Sequence, residues 1–399
     1  MGHGTRLPAL EYDLDATRYS TEEMLARLVG FPTVSDRSNL DLIDFVRAYL
    51  GGFGIASELT FDETGEKANL HAVIGPRVDG GVVLSGHTDV VPVAGQNWSG
   101  DPFELTERDG KLFGRGTADM KSFAAIALSH VPRMMAANLK RPIHIALSYD
   151  EETGCLGAPR MIEAMMREGP RPAAVIVGEP TSMKVVDSHK GTMLLRTTVT
   201  GKSVHSSQLN RGVSAITAAA RIVAWLDGRT RANIAETPKD SPFDPPYTTL
   251  HCGVLEGGTA HNIVARSAWF YTDVRSLPHE SQDEWQERYE TFVRSEIEPE
   301  MKARAAEAEI RIERVSAVPG LQPEENGAAE ELARRLTGDN SRNVVVYGTE
   351  AGQFQAAGLS TIVCGPGSID QAHQPDEFIE KAQLLAGEAF IRRLIGELT

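Results

Sequence analysis

The chain has 399 residues, 41% hydrophobic and 24% charged, an ordinary composition for a folded protein with room for more than one domain. Its formal net charge of −15 argues against a nucleic-acid partner or an anionic membrane surface, both of which select a basic face. Three widely spaced cysteines, Cys155, Cys252 and Cys364, form no CxxC pair and are expected as reduced thiols.

The opening MGHGTRLPAL has neither an apolar signal core nor the Ser or Thr that N-myristoylation needs, and no apolar run is long enough to span a membrane. A cytoplasmic location is expected. Through residue 180 short apolar runs alternate with helical stretches. Strands are expected at 70–74, 82–85, 143–148 and 173–177, and helices at 120–135 and 158–166. This alternation predicts an α/β layer with a largely parallel sheet.

From about residue 187 the pattern changes. An alternating strand over 192–200 precedes a helix over 214–226 and strands at 248–254 and 267–274. An amphipathic helix follows, with Trp285, Tyr289 and Phe292 on one stripe, and then a strand at 309–315. The order β-α-β-β-α-β is that of a ferredoxin-like α+β unit. After Pro319–Gly320 the α/β pattern resumes, with a helix over 328–336, strands at 344–347 and 361–364, and a C-terminal helix from Glu377. The expected organisation is an α/β domain in two parts, 1–186 and 319–399, interrupted by an α+β domain over 187–318.

Each α/β strand of the first half runs into ionisable residues. Strand 82–85 leads to His87 and Asp89, strand 143–148 to Asp150, Glu151 and Glu152, and strand 173–177 to Glu179. Ligands of open α/β sheets bind beyond the carboxyl ends of the strands, so three segments deliver imidazole and carboxylate to one edge. Asp119 in GRGTADMK and His373 in QAHQPDEF add two more from loops. Taken singly, each has an ordinary role as a buried histidine, a capping acid or a solvated side chain. Together they form a donor set suited to zinc or a neighbouring divalent metal, and bound cations would relieve the repulsion among the acids.

SGHTDVVPV, GRGTADMKS, YDEETG, VGEPTS and AHQPDEF occur in this order. In them the chain resembles the dizinc aminoacylase/carboxypeptidase-type metallopeptidase family. The resemblance spans nearly the whole chain. Through GEPTS, HKG, HSS and GPGSIDQAHQPDEF it is greatest to the branch that deacylates acetylornithine. It implies a catalytic domain of the zinc aminopeptidase/carboxypeptidase type with a mixed central sheet, and a lid and dimerisation role for the 187–318 insertion.

The same resemblance implies two zinc ions per subunit, with cobalt or another divalent metal as a substitute. His87 and Glu179 would hold one ion, Glu152 and His373 the other, and Asp119 would bridge them. Glu151 would be the general base, and Asp89 would orient His87, since residues i and i+2 of a strand share a face. A cis peptide after Asp119 belongs to the same pattern. Charge counting agrees: three ligand carboxylates against two dications leave one positive charge, which ionised Glu151 neutralises. Asp150 is left as a structural turn acid.

His205, in GKSVHSSQLNRG, stands beside Ser206, but adjacent residues rarely meet in nucleophile–base geometry. The resemblance gives His205 a hydrogen bond to the oxyanion instead, across the interface of a homodimer. Asn262 and Arg275 match substrate-contacting positions. Arg275 suits an α-carboxylate, although it could equally pair with Asp273. Glu350 is placed against a cationic substrate side chain, and Gly365 and Gly367 in a tight turn. The reaction implied is hydrolysis of an Nα-acyl amino acid, foremost N-acetyl-L-ornithine to L-ornithine and acetate in arginine biosynthesis. Alternatives are N-succinyl-diaminopimelate, another N-acyl amino acid or a dipeptide and, in another class, a non-catalytic metal-binding partner protein.

Overall fold

The computed structural model describes residues 19–237 and 240–399, so the N-terminal stretch read above for targeting signals lies outside the described residues. The first part of the chain supplies helices α1 (Thr21–Val29) and α2 (Leu40–Gly51) and strands β1 (Ser57–Phe61), β2 (Ala68–Ile74) and β3 (Gly81–His87). A hairpin, β4 (Thr106–Arg108) and β5 (Lys111–Phe113), precedes α3 (Lys121–Ser129), α4 (Val131–Ala136), β6 (Ile143–Ser148), α5 (Ala158–Glu168) and β7 (Pro172–Pro180). β8 (Val186–His189) runs into β9 (Gly191–Thr200), followed by α6 (Ala215–Ala235), β10 (Thr249–His251), β11 (Leu255–Gly257) and β12 (Ser267–Ser276). Then come α7 (Gln282–Phe292), α8 (Glu298–Arg304), β13 (Glu309–Val318), α9 (Ala328–Thr337), β14 (Asn343–Val345) and α10 (Ala351–Ala356). β15 (Thr361–Gly365), β16 (Phe378–Glu380) and α11 (Lys381–Glu397) end the chain.

The main sheet has eight strands in the order β1-β2-β6-β3-β7-β15-β8-β14. Its centre, β6-β3-β7-β15, is parallel, whereas β1, β2 and β8 pair antiparallel to their inner neighbours, so the sheet is mixed rather than largely parallel. The central strands are runs of Val, Ile and Leu buried on both faces, as a sheet covered on both sides requires. One face packs against α1, α2, α3, α9 and α11, the other against α5 and α10.

The segment from β9 to β13 forms a second, antiparallel sheet in the order β10-β12-β9-β13, with β11 also on β12. Burial alternates along β9 and β12, and the inward residues meet α6 and α7 around Leu195, Ile222, Phe270 and Tyr289.

Several boundaries differ from expectation: the helix expected over 214–226 runs on to Ala235, and the strand expected over 248–254 is limited to Thr249–His251, with β11 separate. The helix expected over 120–135 divides at His130, because Pro132 has no N–H to continue the first helix and instead opens the second. The C-terminal helix begins at Lys381 rather than Glu377, since residues 378–380 extend to pair with β5. Only 343–345 of the expected 344–347 strand pair with β8.

Two contacts fix the carboxyl edge of the sheet. A Cβ on Gly178 would lie 2.0 Å from Cγ of Phe123, so α3 seats directly on the backbone beside Glu179. A Cβ on Gly365 would lie 1.9 Å from the Gly178 carbonyl oxygen, and Gly367 takes φ +85° in the turn that follows.

At the opposite end of the sheet, His71 on β2 and His144 on β6 stack with ring centroids 5.3 Å apart, Nε2 of the first 3.0 Å from Nδ1 of the second. Burial, reinforced by Arg77, lowers His71 to about 4; burial, with His71 and Arg77, lowers His144 to about 3. Glu58, 3.9 Å from His71, is the acid facing the pair. Both folded values lie below the unfolded one, so the pair's contribution is complete above pH 6.5 and is lost as pH falls towards 4 and 3. Denaturation at pH 7.5 and 5.0 should show a loss of about 2–4 kcal/mol from this source. The double variant His71→Leu/His144→Leu should flatten it; an undiminished loss would place its origin elsewhere.

Candidate metal centre

Strands β3, β6 and β7 lie side by side and in register at their carboxyl ends, with His87 opposite Ser148 and Ser85 opposite Val177. That register brings His87, the 150–152 turn and Glu179 together, as strand ends of a parallel sheet must. Asp119 arrives from the loop ahead of α3, and His373 from the loop ahead of β16. The Asp119–Met120 peptide is cis.

Asp119 stands between the two histidines. Its Oδ1 is 3.0 Å from His87 Nε2 and its Oδ2 is 3.3 Å from His373 Nε2. His373 Nε2 is also 3.0 Å from Glu152 Oε2, and His87 Nε2 is 3.8 Å from Glu179 Oε1. Donor atoms of His87, Glu151 and Glu179 lie within 4.8 Å of one another, as do those of His87, Asp119 and Glu152. All six residues thus converge, and the two oxygens of Asp119 face different imidazoles.

The electrostatics show what the cluster lacks. Burial, then Asp119, raises Glu179 well above the usual carboxylate range, and burial and the neighbouring acids do the same to Glu151. Glu152 is raised to about 7 by burial and Asp119. Burial alone would depress His87, but its hydrogen bond to Asp119 and the charges of Glu179 and Glu151 raise it. Hydrogen bonds to Asp119 and Glu152 lift His373 to about 10. The three glutamates and both imidazoles are drawn towards holding protons, while Asp119, hydrogen-bonded to His373 and His87, is held below the usual carboxylate range, and together this is a demand for positive charge. Glu179 Oε1 is buried with no hydrogen-bond partner among the described residues, as a ligand oxygen would be. Oxygen and nitrogen donors in this arrangement fit a pair of divalent ions.

Asp89 meets His87 through a different atom than expected. β3 ends at His87, so Asp89 lies past the strand and the alternation argument does not reach it. Its backbone carbonyl accepts from His87 Nδ1 at 2.8 Å, while its carboxylate stays 3.7 Å away. The carboxylate instead accepts from the Glu151 N–H at 3.1 Å, the Glu152 N–H at 3.2 Å and the Ser35 hydroxyl at 2.7 Å. It therefore fixes the turn that carries both glutamates. Asp150, at φ +55°, pairs with Lys67 at 2.5 Å and anchors the same turn from outside. Cys155 is buried and its Sγ lies 3.3 Å from Glu151 Oε1.

The cleft over the cluster has a volume of about 390 Å³. Thr192, Asp273, Arg275 and Ser316 of the second sheet form its far wall, and Tyr347 and Gly348 close one side. Arg275 is there as expected, with its Nε held by Asp273 at 3.0 and 3.2 Å. Glu350 is not. It is 1% exposed, accepts from the Ser85 hydroxyl at 3.3 Å and from the Ser148 hydroxyl, and lies behind the strands, so a role against a substrate cation does not fit. His205 and Asn262 are exposed and neighbouring, with Nδ1 of His205 2.8 Å from the Ser207 hydroxyl and the Asn262 carbonyl accepting from Ser206. Neither lines the cleft of its own chain. Ser35, Lys67 and Glu377 are not singled out by the sequence; only Glu377 has a signal there, inside QPDEF, where the pattern predicts a helix start.

The model of peptidase family M20/M25/M40 matches residues 83–397. The chain is 33% identical over 382 residues to an acetylornithine deacetylase of Pasteurella multocida, covering 94% of this chain and 97% of that protein. It is 35% identical over 365 residues to an acetylornithine deacetylase of Shigella sonnei, covering 90% and 92%. An M20 family metallo-carboxypeptidase from Sulfolobus solfataricus superposes with a TM-score of 0.75 at 16% identity, covering 94% of this chain and 98% of that one. A dinuclear metal binding peptidase of the M20 family from Bacillus subtilis gives 0.63 at 18% identity, covering 96% and 99%. The likeness to these two structures is one of fold. By the family match and the identity to its relatives, the chain is a member of peptidase family M20/M25/M40 and a metal-dependent amidohydrolase.

Proposed function

We propose that the chain hydrolyses the amide bond of an Nα-acyl amino acid, with N-acetyl-L-ornithine as the foremost substrate. The observation that carries the chemistry is Asp119 presenting one oxygen to each of two imidazoles, with Glu151 beside them. The substrate rests on the relatives named acetylornithine deacetylase, at 33% and 35% identity over most of the chain. His87 and Glu179 would hold one divalent ion and Glu152 and His373 the other, with Asp119 shared and zinc the metal expected. When bound, such a pair polarises the amide carbonyl and makes water acidic enough to attack near neutral pH.

The side chains do the rest. His87 donates from Nδ1 to the Asp89 carbonyl, which leaves Nε2 as the coordinating nitrogen. Glu151 takes the proton of the attacking water and delivers it to the leaving amine; the Asp89 carboxylate holds its backbone in place, and the Cys155 thiol touches its Oε1. Arg275 receives the substrate carboxylate.

His205 and Asn262 reach a substrate only if a second copy places them over the cleft, so the proposed assembly is a homodimer joined through residues 187–318, the lid unit. A non-catalytic role is disfavoured by Glu151, which a protein that only bound metal would not require at this spot. Among the described residues no helix is long and apolar enough to cross a membrane, and the proposed location is the cytoplasm.

Glu151→Gln should lower turnover by at least about 10²–10⁴-fold while two ions per chain remain by elemental analysis. Loss of the ions together with activity would make Glu151 a ligand instead. His205→Ala should cost on the order of 3 kcal/mol in kcat, about 10²-fold, with metal content unchanged. Mixing it with Glu151→Gln should restore part of the activity if the histidine acts across the dimer. On a panel of acyl amino acids, acetylornithine should give the highest kcat/KM; equal or better turnover of acetylmethionine or succinyl-diaminopimelate would sink that substrate.

A further inference from the structure

Glu377 touches neither the cleft nor any proposed ligand atom, yet its carboxylate is surrounded by donors. Oε1 accepts from the backbone N–H groups of Ala118 at 2.7 Å and Asp119 at 3.1 Å. Oε2 accepts from the Gly116 N–H at 3.0 Å and from Arg115 Nη1 at 2.8 Å. The Glu377 carbonyl accepts from the Gly114 N–H at 3.0 Å, and both side chains of the ion pair are 1% exposed. Residues 114–119 thus curl around an internal carboxylate, a concavity of N–H groups of the kind that elsewhere captures a free anion. An amide cannot replace it, because its NH₂ would face donors.

The position of Glu377 gives this arrangement a further role. His373 lies four residues before it, and Asp119 is one of the residues whose N–H it holds. A second strap joins the same loops. Gln96 Nε2 donates to the His373 carbonyl at 2.9 Å, and its Oε1 accepts from Arg115 Nη2 at 2.5 Å and Trp98 Nε1 at 3.0 Å. The Arg115 guanidinium lies 4.9 Å over the Trp98 ring. His373 and Asp376 both adopt left-handed backbone, φ +62° and +55°, which non-glycine residues hold only where neighbours enforce it. Ser99 enforces it at Asp376 through its N–H at 2.8 Å and its hydroxyl.

We propose that Glu377, with Arg115 and Gln96, is a positioning residue that sets the separation of Asp119 and His373, and thereby the affinity for the ion shared by Asp119, Glu152 and His373. This rests on the dinuclear reading above. The ring of His373 is half exposed and its loop has little packing of its own, so its place is defined by these polar ties.

The test is a zinc titration of the metal-free protein against a chelating dye, run on wild type, Glu377→Gln and Gln96→Ala. With far-UV circular dichroism unchanged, the weaker of two binding steps should fall about 10–100-fold in Glu377→Gln. In the half-buried Gln96→Ala it should fall several-fold, roughly the lower end of that range. The cobalt-loaded variants should show altered visible absorption, which a residue serving only overall stability would not change. Should Glu377→Gln fail to fold, Gln96→Ala decides alone, and wild-type affinity and spectrum in it overturn the proposal. Fewer than two ions on the wild-type protein would overturn the dinuclear reading itself; two ions held equally tightly by all three proteins would overturn only this inference.

Discussion

The structure is organised around one electrostatic problem, the crowding of Asp119, Glu151, Glu152 and Glu179 at the carboxyl edge of a buried sheet. A carboxylate removed from water without compensation costs several kcal/mol, and four together compound the cost through mutual repulsion. Two imidazoles relieve part of it, drawing His373 up to about 10 in doing so. The remainder calls for cations, and divalent ions supply it with the fewest groups. Hydrolytic chemistry is compatible with the same charges, because a site that concentrates positive charge is also one that can polarise a carbonyl.

The acids of this region divide into two kinds, and their donors tell them apart. Asp89 has Ser35 and two backbone N–H groups; Glu350 has Ser85 and Ser148; Asp150 has Lys67; Glu377 has Arg115 and three N–H groups. Each is satisfied by the protein. Asp119, Glu152 and Glu179 instead meet only imidazole or nothing, Glu179 Oε1 having no partner among the described residues. The first kind is held by the protein itself, and the second offers donor atoms that could hold a metal. The DEE turn holds both kinds in adjacent places, which its three like charges conceal.

That concealment marks the limit of what the sequence made legible. Strand–helix alternation located the central strands within a few residues, and acids at strand ends located the centre, because both are carried by residue type and spacing. The choice of atom is not. Asp89 sits past the end of β3, so its carbonyl rather than its carboxylate meets His87. Glu179 lies near the carboxyl end of β7 and faces the cluster, whereas Glu350, past the short β14, turns inward to two serines. Glu377 was legible only as part of QPDEF, since nothing in a linear sequence shows three N–H groups 258 to 261 residues away converging on it. Pro132 does carry a local signal, since a residue without an N–H cannot continue the helix over 120–135 and opens a second one.

The cleft has two walls of different character. The metal wall belongs to the main sheet and is fixed by the satisfied acids behind it. The opposite wall belongs to β9, β12 and β13, where Arg275 and Asp273 are half exposed and paired with each other. This pairing does not compete with substrate binding, because Asp273 engages Nε and a carboxylate can still be met at the edge formed by the two terminal nitrogens. Asp273 then holds the guanidinium plane in place, reducing the side-chain entropy lost on binding. Glu350 lies outside the cleft, and the lining away from the donor cluster includes Tyr347 and Gly348 as well as this second wall. The candidate metal donors and the Asp273–Arg275 pair therefore belong to different sheets, so a change at the pair need not disturb the donor set.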